Sequence, residues 1–233
     1  MKIFLDVGAH IGQTAAEVVK PVYGFDRIVC FEPVPTCAEH IREHHKDPRL
    51  EILALGLSNV SAIKTIYGGA EVGASLFRDK KGIDASISQQ CRFVRATDWI
   101  NENLRPGDEV YMKLNVEGAE VEILDDLLAS GALARIGHIM VDFDVRKIPG
   151  MKHMEHALRE RLMQARGTRV YPADTYMLGN NHGERLHTWL VLAGCCKNLP
   201  QGDYLRSRIR LLRQRLRQFE RSVRWRIKGR KRA

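Results

Sequence analysis

Residues 4–14 read FLDVGAHIGQT: an apolar run stops on Asp6, turns through Gly8 and Gly12, and starts a helical pattern at once. An acid and two glycines at such a junction bring bare backbone to the mouth of a strand, where a small ligand can approach. The same residues also suit a plain tight turn. The wider pattern helps to separate these readings. "KIFLDV" precedes the helix-like "GQTAAEVVK", "RIVCFE" precedes "PTCAEHIREHHK", and "LEILAL" precedes a looser, glycine-bearing region. Further on, "DEVYMKLNV" precedes "EGAEVEILDDLLASGAL", and "IGHIMVDFDV" precedes "MKHMEHALRERLMQA". Continuous apolar strands alternating with amphipathic helices predict an α/β fold, a doubly wound and mostly parallel sheet covered on both faces. "TRVYPA" and "RLHTWLVLAG" lack a good helix between them and are expected to close the sheet as an antiparallel pair.

The chain of 233 residues, 44% hydrophobic, suffices for one such domain and an appendage. No apolar run reaches the roughly 18 residues a bilayer span requires. Lys2–Val7 reads as a strand rather than a signal peptide. The five cysteines (Cys30, Cys37, Cys91, Cys195 and Cys196) have no C-x-x-C spacing. Both features predict a reduced, cytoplasmic compartment. The net charge of +9 is unevenly divided: residues 206–233 hold 13 Lys/Arg and one acid, Glu220, while the rest holds 24 bases and 27 acids. The body is therefore mildly acidic and the tail carries the basicity. The polar stretch "KNLPQGD" at 197–203 predicts the boundary, with one domain at 1–197 and a linker plus tail at 198–233.

Ligands of doubly wound sheets bind outside the carboxyl ends of the strands. Gly8 there allows close approach of backbone to a ligand, and Gly12 relieves crowding as the helix begins. The second strand ends on Glu32, where a carboxylate can accept both ribose hydroxyls. A dinucleotide fingerprint needs glycines at 8, 10 and 13, but this chain has His10 and Gln13, which disfavours a pyrophosphate. Asp6 would also repel that group. It suits a cationic ligand, a demand met by the amino group and sulfonium of S-adenosyl-L-methionine.

Four stretches in order, FLDVGAHIGQT, FEPVP (31–35), GASL (73–76) and YMKLNVEGAEVEIL (111–124), resemble the FkbM family of methyltransferases over roughly residues 3–195. The resemblance implies a Rossmann-like class I fold, S-adenosyl-L-methionine as cofactor, and O-methylation of a sugar hydroxyl in a glycan, glycolipid or natural product. It implies that Asp6, Gly8 and Gly12 contact the methionine moiety and that Glu32 holds the ribose. His10, Pro33 and Ser75 of the same motifs join them on the cofactor. The family pattern K-[IL]-D-[VI]-E-G-A-E is broken at one position, where this chain has Asn115. Asparagine keeps an acceptor but loses the charge and the capacity to take a proton.

A hydroxyl attacking a sulfonium methyl needs a base as its proton leaves. Candidates at the strand ends are Asp142 and Asp144, Glu117 and Glu120, Lys113, and His182 in "GNNHGER". Asp142 leads, because Asp142 and Asp144 alternate in a strand and so point to one face. Glu117 and Glu120 also suit the positive end of a helix, and Lys113 a buried ion pair with one of them. The predicted catalytic set is Asp142, Glu117, Lys113, Asn115 and His182. No metal is expected: His40 and His44, one turn apart beside His45, lack a third ligand, as do His153 and His156.

In the tail, Leu205, Ile209, Leu212, Leu216, Phe219 and Val223 form one helical stripe among arginines, with Trp225 and Ile227 beyond. An anionic membrane surface met by residues 205–228 is the leading reading. A coiled-coil partner helix and nucleic acid rank lower, and a homo-oligomer is left open. The function expected is O-methylation of a sugar hydroxyl. The rivals are methylation of RNA (opposed by the acidic body) or of a small metabolite, and a non-catalytic cofactor-binding scaffold silenced at Asn115.

Overall fold

Side chains of successive strand residues point to opposite faces, and both faces of the first strand are buried. In β1 (Lys2–Val7), Ile3, Leu5 and Val7 join one apolar cluster while Phe4 joins another. That pattern requires helices above and below. The computed structural model describes all residues except 72, 197, 198, 200 and 231–233, with backbone alone for 201 and 219–230.

β1 leads into α1 (Gln13–Val18), β2 (Arg27–Phe31) into α2 (Pro35–His44), and β3 (Leu50–Leu53) into β4 (Gly56–Ser58), β5 (Ala62–Tyr67) and β6 (Ser88–Arg95). After α3 (Ala96–Asn103) come β7 (Glu109–Leu114), α4 (Glu120–Ser130), β8 (His138–Val141) and α5 (Met154–Gln164). The chain continues through β9 (Arg169–Pro172), α6 (Ala173–Tyr176), α7 (His182–Leu192) and α8 (Gln201–Arg230). The main sheet has the order β3-β2-β1-β7-β8-β9, and every pairing in it is parallel. This is a doubly wound α/β fold of Rossmann-like type. Strand order reverses between β1 and β7, which opens a crevice at their carboxyl ends.

Two expectations are corrected. The looser region after β3 is a second sheet of order β4-β6-β5, whose Leu57, Ile66, Cys91 and Phe93 are buried. "RLHTWLVLAG" is a helix rather than a closing strand. Its Leu186, Trp189, Leu190 and Ala193 recur every three or four residues and pack on Phe4, Tyr111 and Tyr171. Asn181 caps this helix by accepting the Glu184 N–H, while the Glu184 carboxylate accepts the Asn180 N–H. The strand pattern was overridden by that cap and by the burial of this apolar face against the sheet. β9 pairs with β8 in parallel and edges the sheet.

Candidate active site

The crevice forms a cavity floored by the turns after β1, β2 and β7 and roofed by the small sheet. Its apolar part lies between Pro33, Val34 and Cys37 on one side and Leu57, Ile66 and Phe93 on the other. Glu32, 5% exposed, closes this part. One of its oxygens accepts the His10 N–H at 2.7 Å and the other the Val34 N–H at 2.9 Å, so a single carboxylate ties both loops together. Burial lifts its pKa to about 7, against the lowering effect of those two amides. Each oxygen keeps a lone pair for a ligand hydroxyl.

The glycines of the opening stretch serve the chain itself. Gly8 has φ +84°, and a Cβ there would lie 1.9 Å from the Asn115 carbonyl oxygen. Gly8 therefore lines the cavity and is also needed for β1 and β7 to run side by side. Gly12, also at φ +84°, would press a Cβ into the His45 ring at 2.9 Å, and it does not line the cavity. Its role is packing against α2. Among the described residues only two non-glycines have positive φ, His10 at 50° and Glu117 at 55°, and both line the cavity. Such strain gathers where surrounding structure holds a site in place.

Asp6 lies beneath the floor, fully buried, and does not line the cavity. The Lys113 ammonium donates to Asp6 Oδ1 at 2.8 Å and to the Gly8 carbonyl at 3.1 Å, and Lys113 does line it. The partner of Lys113 is thus Asp6, not Glu117 or Glu120 as expected, because β1 and β7 place residues 6 and 113 opposite each other. One ammonium N–H remains for a ligand. Beside it at the strand end, Asn115 Oδ1 is buried with no hydrogen-bond partner.

Glu117 lines the cavity and accepts a 2.6 Å ion pair from Lys80, itself buried. Its pKa is raised by burial, with Lys80 opposing and Asp144 reinforcing. Ser75 donates to the Glu117 carbonyl at 2.7 Å, which fastens the GASL loop to this turn. Glu120 opens α4 as expected and accepts the Gly118 N–H, but burial pushes its pKa to about 8. His182, half-buried, lines the cavity with Nε2 3.0 Å from Thr14 Oγ1. Burial and then the Lys113 charge hold its pKa below the usual histidine value.

Asp142 and Asp144 do not sit in a strand. β8 ends at Val141, and Asp144–Lys147 is a 3-10 turn, so the expected alternation fails. Asp144 accepts from Lys147 at 2.6 Å, and Asp142 lies 3.7 Å from Arg146; neither lines the cavity. His40 and His44 stack with ring centroids 4.0 Å apart. No group of three candidate metal ligands occurs among the described residues.

Thr14, Lys80, Leu57 and Phe93 are site residues that the sequence reading missed. The alternation of Cys91 and Phe93 with Gln90 and Arg92 signalled a half-buried strand. Lys80, in an irregular loop, carried no signal.

No family model and no curated protein matches the chain. Among solved structures, the crystal structure of methyltransferase FkbM from Methylobacillus flagellatus KT is similar at 14% identity, with a TM-score of 0.37. The match covers 57% of this chain and 30% of that one, so the chain spans less than a third of the length of that protein.

Proposed function

We propose that this chain is an S-adenosyl-L-methionine-dependent O-methyltransferase acting on a hydroxyl of a sugar, in a glycan or glycolipid. The observation that carries the reading is the division of the cavity. An apolar slot closed by Glu32 suits a nucleoside, and across the β1 turn a buried acceptor without a partner, Asn115 Oδ1, sits with the Lys113 ammonium. The resemblance of the four ordered motifs supports S-adenosyl-L-methionine as the ligand. When bound, S-adenosyl-L-methionine supplies an electrophilic methyl group on a sulfonium.

Glu32 would hold the ribose, and Pro33, Val34, Leu57 and Phe93 the base. The free N–H of Lys113 suits the ligand carboxylate, and Asn115 Oδ1 its amino group. Asp6, buried beneath, acts through Lys113 by fixing where the ammonium points. His182 takes the hydroxyl proton. In the tautomer that donates Nε2–H to Thr14 Oγ1, Nδ1 would keep its lone pair for that proton, and the lowered pKa favours the neutral ring. Glu117, locked to Lys80, positions the turn that carries Asn115.

Transfer of labelled methyl from S-adenosyl-L-methionine to a panel of free and lipid-linked sugars tests this reading. The expected result is label in an alkali-stable ether on a sugar. Label in RNA instead, or cofactor binding with no transfer to any sugar, would contradict it.

A further inference from the structure

Helix α8 is amphipathic, yet it meets the body with its polar side. Arg210 donates to Thr188 Oγ1 at 3.1 Å and to Glu184 Oε2 at 2.8 Å, both on α7. Gln214 donates to the Asp174 carbonyl at 3.0 Å, and Ser207 is 1% exposed. At about 100° per residue these three share one face, and Leu205, Ile209, Leu212 and Leu216 lie on the opposite one. Those four are 59, 38, 57 and 61% exposed. Exposed arginines flank them: Arg206, Arg213 and Arg217 on one side, Arg208 and Arg215 on the other.

We propose that this outward face docks on the surface of an anionic lipid bilayer. A straight apolar stripe fits a plane, and arginines on both flanks can bury their stems along it while keeping their heads at lipid phosphates. Positive charge on both edges matches a negative surface. The same charge opposes a second copy, since two such stripes face to face would set arginine against arginine. Nucleic acid would satisfy the arginines but leave the leucines in water. Among the described residues no helix is long and apolar enough to cross a membrane, so the contact is peripheral. The remaining stripe positions Phe219 and Val223, and Trp225 and Ile227 beyond them, lie outside the residues whose side chains are described. Because α8 grips α7, whose first residue is His182, docking holds the candidate site in a fixed relation to the lipid surface.

The inference does not rest on the proposed chemistry, and its test reads binding alone. The full chain is mixed with vesicles of phosphatidylcholine containing about one-third phosphatidylglycerol, and with pure phosphatidylcholine, then sedimented. Strong binding to the anionic vesicles only, weakening as salt rises, is expected. The double variant Leu212→Gln/Leu216→Gln keeps every charge and touches exposed positions only. It should bind about tenfold more weakly or worse while retaining the wild-type circular dichroism and melting temperature. Equal binding of variant and wild type, or no binding by either, would overturn the proposal. So would a dimer in sedimentation equilibrium that the same double variant dissolves, which would assign the stripe to a second copy.

Discussion

The two ends of the cavity are built on different terms. At the Glu32 end, polar atoms find their partners within the chain and apolar side chains close the slot. At the β7 end, Asn115 Oδ1 has no partner, Lys113 has a donor to spare, and His182 is held through Nε2 to Thr14 Oγ1. The first end is largely satisfied by folding and keeps only the second lone pairs of Glu32 for a ligand. The other keeps polar capacity for a ligand, in keeping with the cost of leaving a buried acceptor unmade. The proposed function makes the first the binding end and the second the reacting end, and the contrast suggests mutations that should affect stability, rate and affinity separately.

The largest effect is expected at Gly8, where both ends join. Gly8→Val puts a branched side chain against the Asn115 carbonyl at a positive φ. The cost should exceed about 4 kcal/mol in denaturant unfolding, enough to lose the fold. A well-folded Gly8→Val protein would remove the close strand approach from the account. Next comes Lys113→Met, which strands Asp6 as a buried unpaired charge. It should cost about 3–5 kcal/mol, and adding Asp6→Asn should restore much of it. Additive losses in that double-mutant cycle would show that the pair does not act as one unit.

At the reacting end, His182→Ala should lower kcat by about a hundredfold or more with little change in cofactor affinity. On the proposed assignment the neutral ring is the active form. The rate should therefore fall as pH drops through a value below the usual histidine pKa of about 6.5. The variant should lose that acid limb, and a limb that survives would pass the role to another group. The smallest effect belongs to the binding end. Glu32→Gln weakens hydrogen bonds to a ribose, and its NH2 cannot accept one of the two N–H groups, of His10 and Val34, that the carboxylate holds. It should cost about 1–2 kcal/mol of cofactor affinity, with some loss of stability and kcat nearly unchanged. A large fall in kcat with affinity intact would reverse the assignment of the two ends.

The sheet was legible in the sequence because parallel strands buried on both faces read as continuous apolar runs, and β1, β2, β7 and β8 are of that kind. α7 was misread because Thr188 and Val191 interrupt its period with β-branched residues, and its evidence lay in the Asn181 cap and the i, i+3, i+4 set at 186, 189 and 190. At the site, Glu32 and Lys113 were recognisable from their places at or near strand ends. The pairing of Lys113 with Asp6 depended on register across two strands far apart in the chain, which no local pattern records. Asp142 was overvalued for a similar reason: its side-chain direction was inferred from a strand that ends one residue earlier. The tail stripe was read correctly as a period, but its outward facing was set by Arg210 and Gln214, which look like ordinary surface residues in the sequence.

The central claim, a nucleoside end and a cationic-ligand end in one cavity, is tested most directly by titration calorimetry of the purified chain. S-adenosylhomocysteine shares the nucleoside and amino-acid parts of the cofactor and should bind at one site per chain. Glu32→Gln should weaken it by about tenfold. NAD, which needs a pyrophosphate cradle where this chain has His10, should give no heat of binding. Binding of NAD in preference to S-adenosylhomocysteine, or of neither, would contradict the account.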